Sequence, residues 1–132
     1  MKLFDIAANL SDDRFKGVYY GKKVHDEDFN VVIKRAYNYG VKGFLFASGY
    51  LEDYKESYDL SLMHRSFFCT IGVHPCRANE VFKGGEVSDA QQKSYFDKIK
   101  ETLDTCGKPE KVIAIGECGL DYDRLDYADK ET

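Results

Sequence analysis

The chain has 132 residues, a hydrophobic fraction of 43% and a formal net charge of −4. This length suits one globular domain with a sizeable core and excludes two complete domains. The negative net charge excludes a protein that binds nucleic acid through a broadly basic surface, because such binding needs many lysines and arginines to neutralise phosphates. Any nucleic-acid contact is therefore expected to be local.

The cysteines and the N-terminus indicate the cellular compartment. The four cysteines are scattered and form no Cys-x-x-Cys pair, so we interpret them as reduced thiols. The segment Met1 to Ile6 contains an acid and no long apolar run, so neither a signal peptide nor a membrane span is expected. We expect an intracellular protein with no membrane contact, in the nucleus or the cytoplasm.

Four short apolar runs are predicted to be strands. Each is too short for a helix and too uniformly apolar for a sheet with one wet face, which predicts parallel strands buried on both sides. The runs are Lys2 to Ile6, Lys42 to Ala47, Phe67 to Val73 and Val112 to Ile115.

Three amphipathic segments between these runs are predicted to be helices. The first, Asp26 to Tyr39, has acids in its first turn and Gly40 just past its end. The second runs from Leu51 to Arg65, and the third opens with a capping box of Ser88 and Gln91. The resulting β-α-β-α-β-α-β order predicts a parallel sheet with right-handed crossovers.

Two segments are predicted to be loops, Ser11 to Val24 and His74 to Val87, the second of which contains Gly84-Gly85. No linker or low-complexity tract is visible. Residues 1–132 are therefore predicted to form a single α/β domain.

Polar residues cluster where the predicted strands end. The carboxyl ends of parallel strands meet at one edge of a sheet, where binding and catalytic groups gather. The residues are Asp5 and Asn9 after the first strand, Ser48 and Gly49 after the second, His74 after the third, and Glu117 and Asp121 after the fourth.

Glu117 is the strongest candidate for chemistry. It lies between Gly116 and Gly119, which permit close approach of a ligand or unusual backbone angles. Its carboxylate suits Mg²⁺, Mn²⁺ or Zn²⁺. The alternative is a strand-terminal glutamate paired with Arg124 or a lysine. Cys118 has no histidine near it in sequence, and we interpret it as a buried thiol.

Asp5 and His74 are the other candidates at the predicted strand ends. A carboxylate inside an apolar strand must be paired, hydrogen-bonded or bound to a cation, although Asp5 could instead hydrogen-bond loop amides. His74, followed by Pro75, is interpreted either as structural or as a phosphate contact, general acid/base or metal ligand. His25 and His64 are interpreted mainly as structural.

The loop from Phe15 to His25 mixes aromatic and cationic side chains. Aromatic rings can stack on bases while lysines meet phosphates, which makes Tyr19, Lys22 and Lys23 candidate substrate-binding residues. The alternative is an ordinary surface, where lysines beside aromatics are common.

Four segments together resemble the TatD-like deoxyribonuclease family, in order and approximate spacing. They are Asp5 to Leu10, Phe15 to His25, Gly72 to Pro75 and Ile115 to Asp121. The resemblance implies the first half of a TIM-type (β/α)₈ barrel of the metal-dependent hydrolase superfamily, with four parallel strands alternating with helices. Divalent cations in that family activate water to attack a DNA phosphodiester, typically from a 3′ end.

The resemblance also implies roles for individual residues. Glu117 matches a metal ligand, His74 lies close to the scissile phosphate or its metals, and Asp5 sits at the floor of the site. Many members carry His-x-His at the first strand, where this chain has Ala7 and Asn9.

Length is the larger departure from the family. A full barrel takes roughly 250 residues, and later strands of the family supply two more histidines and an aspartate. The chain is therefore expected to be a truncated, N-terminal half, in which 126–132 begins the next helix.

The resulting expectation is a metal-dependent 3′-5′ deoxyribonuclease that acts on single-stranded DNA or 3′ ends with Mg²⁺, or alternatively Zn²⁺ or Mn²⁺. One alternative is an inactive half-barrel that binds a partner or self-associates through open sheet edges. Another is a related hydrolase acting on cyclic amides or phosphate esters. The assigned residues are His74 and Asp5 as catalytic, Glu117 as metal-binding, and Asn9, Tyr19, Lys22 and Lys23 as substrate-binding.

Overall fold

The computed structural model describes residues 1–81 and 88–127 of the chain. Their strands are β1 (Leu3–Ala8), β2 (Val18–Tyr19), β3 (Lys22–Lys23), β4 (Val41–Phe46), β5 (Phe67–Ile71) and β6 (Val112–Ile115). Four of these form a parallel sheet, as the apolar runs predict, and its spatial order is β1-β4-β5-β6. The antiparallel pair of β2 and β3 forms a small separate hairpin.

The helices alternate with the sheet strands, which confirms the predicted order of elements. They are α1 (Phe29–Asn38), α2 (Leu51–Leu62), α3 (Ala78–Val81) and α4 (Asp89–Thr105), with 3₁₀ turns at Asp13–Lys16, Pro75–Arg77 and Pro109–Lys111. The capping box of α4 is present: the Ser88 hydroxyl accepts from the Gln91 amide, and the Gln91 side chain accepts from the Ser88 amide. No helix in the described part of the chain is long and apolar enough to cross a membrane.

The first helix begins later than its acidic residues predict. Asp28 is the N-cap of α1, so the first turn contains no acid. The Asp28 amide donates to the Phe15 carbonyl at 3.1 Å. This bond holds the segment before the helix against the preceding loop. The segment therefore does not form a further helical turn.

One face of the sheet packs against α1 and α2 and forms the core. Aromatic rings dominate this face: Phe46 is fully buried, lies parallel to Phe44 and meets Phe67 edge to face. Phe29 and Ile33 of α1 belong to the same buried cluster as these rings. A continuous aromatic and aliphatic layer of this kind supplies most of the apolar burial that offsets chain entropy.

The prediction that every strand is buried on both sides is wrong for the outer strands. Ile6 of β1 is 73% exposed, and Ile115 of β6 is 70% exposed. Within the described residues β1 and β6 each pair with one neighbour only, and burial on both sides needs a neighbour or a covering layer that these strands lack.

Asp5 shares this exposure, so the argument that burial compels it to find a partner is also wrong. Its carboxylate accepts from the Ala7 amide at 3.2 Å. The contact is the local hydrogen bond of the alternative interpretation.

Both predicted loops contain short regular structure. The first holds the Asp13–Lys16 turn and the hairpin, and the second holds the Pro75–Arg77 turn and α3. Gly84-Gly85 and most of the segment predicted to begin a further helix, 128–132, lie outside the described residues.

Candidate active site

A cavity of about 490 Å³ opens at the carboxyl edge of the sheet and brings together three of the predicted site residues. Asn9, His74 and Glu117 line it, beside Asp53 and Arg77. Polar groups from the ends of β1, β5 and β6 therefore converge on one space, as the parallel topology requires.

The backbone around Glu117 is fixed by the neighbouring strand ends. Its amide donates to the Ser48 carbonyl at 3.2 Å, and the Gly116 amide donates to the Ile71 carbonyl at 2.9 Å. Gly116 has φ +152°, a region in which side-chain-bearing residues are strained. Gly72 packs so closely that a Cβ there would lie 2.6 Å from the Glu117 carbonyl oxygen. Glycines on both strands are thus required to place this glutamate.

Most carboxylates in the cavity are already engaged. The Asp12 carboxylate lies 2.7 Å from the Arg14 guanidinium, and their hydrogen bonds lower the pKa of Asp12 to about 2. Asp13 and Glu56 both pair with the Lys16 ammonium. Arg14 thus compensates the charge of Asp12, whereas Asp13 and Glu56 share the single positive charge of Lys16.

The two remaining carboxylates of the cavity, Asp53 and Glu117, differ in whether they have hydrogen-bond partners. The Asp53 carboxylate accepts from the amides of Gly49 and Tyr50 at 3.0 and 3.1 Å, at the start of α2. Glu117 is exposed and has no side-chain partner among the described residues. Arg124, its predicted structural partner, pairs with Asp121 at 3.1 Å instead. Glu117 is thus the cavity carboxylate whose oxygens are available to a ligand.

Hydrogen bonds at His74 determine which ring nitrogen can act on a substrate. The His74 amide donates to the Gly49 carbonyl at 2.6 Å, and its Nδ1 accepts from the Cys76 amide at 3.1 Å. In the neutral ring the proton must then be on Nε2. A metal at Nε2 would require the opposite tautomer, which would turn an N–H towards the Cys76 amide. The ring is therefore arranged to donate to an oxygen rather than to ligate a metal.

Arg77 lines the same cavity and was missed by the sequence argument. It ends the 3₁₀ turn that Pro75 opens, where its amide donates to the His74 carbonyl at 2.8 Å. Its guanidinium lies 4.9 Å from the centre of the Tyr50 ring, a cation–π contact. The signal in the sequence was an arginine three residues after the strand-end histidine, within reach of the same edge.

The remaining predicted residues lie outside this cavity. Asp5 does not line the cavity around Glu117. Tyr19, Lys22 and Lys23 are on the β2–β3 hairpin, where Lys23 pairs with Asp26 at 3.2 Å. The structure therefore separates the substrate-binding candidates of the hairpin from the group around Glu117.

Comparison with known proteins identifies the family. The sequence profile described as TatD related DNase matches residues 4–132. This chain belongs to the TatD DNase family. Its relatives include "Deoxyribonuclease Tat-D" of Schizosaccharomyces pombe, 37% identical over 97% of this chain and 40% of the relative. A second is the "3'-5' ssDNA/RNA exonuclease TatD" of Shigella flexneri, 30% identical over 92% of this chain and 38% of the relative.

Solved structures confirm the fold expected for the TatD family. The crystal structure of a TatD family hydrolase from Entamoeba histolytica superposes with a TM-score of 0.79 at 38% identity, covering 98% of this chain and 41% of the other. An uncharacterized amidohydrolase from Saccharomyces cerevisiae superposes with a TM-score of 0.75 at 30% identity, over 98% and 40% of the two chains. The chain therefore has the fold of the first half of a TIM-type barrel and spans about 40% of the length of these relatives.

Glu117 is the metal-ligand candidate that the described residues offer. The described residues contain no group of three or more His, Cys, Asp or Glu side chains positioned to hold an ion. Mg²⁺ keeps several waters and is held by one or two carboxylates with substrate phosphates. The available carboxylate of Glu117 is compatible with this arrangement.

Proposed function

We propose that this chain carries part of the active site of a metal-dependent deoxyribonuclease that removes nucleotides from the 3′ end of single-stranded DNA. The observation that carries the proposal is the cavity at the strand ends, in which Glu117 has no side-chain partner among the described residues. The family of the chain and the names of its relatives support the substrate class.

The available carboxylate of Glu117 would hold the divalent ion, with Mg²⁺ expected and Mn²⁺ or Zn²⁺ as alternatives. Such an ion lowers the pKa of water and neutralises charge that develops on phosphate oxygens. Glu117 can serve in this way because the other cavity carboxylates are occupied by Arg14, by Lys16 or by backbone amides.

His74 and Arg77 would bind the phosphate. The Nε2–H of His74 donates one hydrogen bond, in the tautomer that its Nδ1 contact with Cys76 selects. The guanidinium of Arg77 is planar and can donate two parallel bonds to a phosphate, and its contact with Tyr50 limits its freedom before binding. Asn9 offers an amide in the same cavity. Asp5 has no part in this proposal because it lies outside the cavity.

The test is release of nucleotides from 3′-labelled single-stranded DNA, with Mg²⁺ and with EDTA. Glu117→Gln keeps the shape of the side chain and removes its charge, so release is expected to fall to the EDTA level. Glu52→Gln is the matched control, since Glu52 is exposed in the first turn of α2 and does not line the cavity. Release by Glu117→Gln equal to that of the wild type would refute the role of Glu117, and no release by the wild-type chain would refute catalysis by this chain.

A second function, self-association of an inactive half-barrel, is favoured by the exposed isoleucines of the outer strands. Ile6 and Ile115 lie on strands that each have one paired edge among the described residues, and an open edge flanked by apolar side chains can pair with a second copy. Light scattering measures this directly. A concentration-dependent dimer that is lost in Ile6→Lys would support the proposal, and a monomer at all concentrations would refute it.

We expect the protein to act inside the cell, because all four cysteines are free thiols. Localisation of the tagged chain in intact cells tests this expectation.

A further inference from the structure

The tip of the β2–β3 hairpin places an aromatic ring where packing does not explain it. Tyr20 and Gly21 have φ +46° and +73°, the left-handed pair of a two-residue hairpin turn that usually carries Asn-Gly. A tyrosine in this conformation is strained. Yet the residue is 89% exposed, and its ring meets that of Tyr19 edge to face at 4.7 Å, with no other ring contact among the described residues. The strain therefore yields an exposed aromatic platform rather than core packing.

A second cavity, of about 400 Å³, lies against this platform. Tyr19 and Tyr20 line it together with Asp12, Asp13 and Arg14. Both carboxylates have a cationic partner: Asp12 pairs with Arg14, and Asp13 shares the Lys16 ammonium with Glu56. The cavity thus offers ring faces beside carboxylates that are ion-paired, and this pairing weakens their repulsion of a polyanion.

The hairpin also supplies a cation beside the rings. Lys22 directly follows the turn and has no acidic partner in the described part of the chain, whereas Lys23 pairs with Asp26. Aromatic rings next to an uncompensated lysine are the combination with which proteins bind single-stranded nucleic acid without sequence preference.

The second cavity adjoins the first one. Asp12 and Asp13 line both, so a chain that leaves the Glu117 cavity can enter the hairpin cavity directly. The hairpin is held in this place by backbone bonds, among them Val24 amide to Gly17 carbonyl at 2.8 Å. A preorganised platform next to the site of chemistry can bind a neighbouring unit of the same polymer.

We propose that Tyr20, supported by Tyr19 and Lys22, forms a stacking subsite for an unpaired base of the strand whose end occupies the Glu117 cavity. The inference rests on the proposed nuclease function for its ligand. The subsite accepts any base, because stacking uses the ring face and not the hydrogen-bonding edges.

The experiment measures binding separately from hydrolysis. The fluorescence anisotropy of a labelled short oligothymidylate is titrated with the full chain in EDTA, and the same is done with an abasic strand of equal length. Tyr20→Asn is the informative variant, since asparagine suits a left-handed turn and so removes the ring without harming the hairpin. Tyr39→Ala is the matched control, an exposed tyrosine at the end of α1 that lines neither cavity.

The proposal predicts that Tyr20→Asn weakens oligothymidylate binding by about fivefold or more and leaves abasic-strand binding unchanged. Tyr20→Phe and Tyr39→Ala should bind as the wild type does. Lys22→Ala should reduce the slope of log affinity against log salt by about 0.7, the effect of one phosphate contact on a single strand.

Three outcomes would overturn the inference: no detectable binding by the wild type, equal binding by Tyr20→Asn, or an equal loss on the abasic strand. These outcomes are distinct from failure of the proposed function, which appears as absent Mg²⁺-dependent release. If the wild type releases nucleotides and Tyr20→Asn binds oligothymidylate as tightly as the wild type does, only the stacking subsite is refuted.

Discussion

The Asp53 carboxylate provides the sharpest stability prediction. It accepts from the amides of Gly49 and Tyr50, and the Gly49 carbonyl in turn accepts from the His74 amide at 2.6 Å. Hydrogen bonds to charged groups contribute about 1.5–3 kcal/mol, and an acid in the first helical turn adds about 0.3–1 kcal/mol. Partial exposure lets water replace some of this, and alanine gains about 0.6 kcal/mol in helix propensity. Asp53→Ala should therefore lower the free energy of unfolding by about 2 kcal/mol.

Urea unfolding followed by circular dichroism measures this change. Asp53→Asn keeps one acceptor oxygen and should cost about half as much. Asp97→Ala is the matched control, because Asp97 is exposed in the middle of α4 and is expected to change stability by less than about 0.5 kcal/mol. A loss for Asp53→Ala no larger than that of the control would refute the reasoning that this carboxylate fixes the loop.

Three further predictions concern the cavity. Arg14 holds the pKa of Asp12 at about 2, below its usual 3.8, so the charged form stabilises the fold above about pH 4 and this contribution is lost as pH falls towards 2; the stability difference between wild type and Asp12→Asn should vanish over that range in urea unfolding. Arg77→Lys keeps the charge but loses the two parallel hydrogen bonds of the guanidinium, so KM for DNA should rise by about tenfold in steady-state kinetics. An unchanged KM would refute phosphate binding by Arg77. Gly72→Ala puts a Cβ 2.6 Å from the Glu117 carbonyl oxygen and should displace Glu117. The rate of nucleotide release, converted to an activation free energy, should therefore change by more than the free energy of unfolding does. Equal changes in the two free energies would contradict the argument that Gly72 positions Glu117.

Much of the fold could be predicted because its signals are local. The strand Val112–Ile115 has the predicted bounds, and the capping box at Ser88 starts α4 at the predicted place. Short apolar runs and caps depend on neighbouring residues, so they can be recognised without knowing the tertiary structure.

Exposure of the outer strands could not be predicted in the same way. Ile6 and Ile115 belong to apolar runs that look identical to those of the central strands, yet they lie beside unpaired edges. Strand order and covering layers are properties of the whole sheet, so an apolar run alone does not show whether one face or two are buried. The burial expected for Asp5 was wrong for this reason.

The candidate site was predicted in part. The strand-end rule correctly brought Asn9, His74 and Glu117 to one cavity, because it depends only on topology. It could not show that the Glu117 side chain has no partner among the described residues, because that depends on how all the other charged side chains are paired. Arg77 was missed because its role arises from a turn that folds it back over Tyr50.

The most direct test of the account is a titration with Mn²⁺, followed by electron paramagnetic resonance of the free ion. Binding to a carboxylate is independent of turnover, so the result does not rely on a nuclease assay. We expect saturable binding by the wild type and by Glu52→Gln, and its loss in Glu117→Gln. Undiminished Mn²⁺ binding by Glu117→Gln would contradict the claim that Glu117 holds the metal.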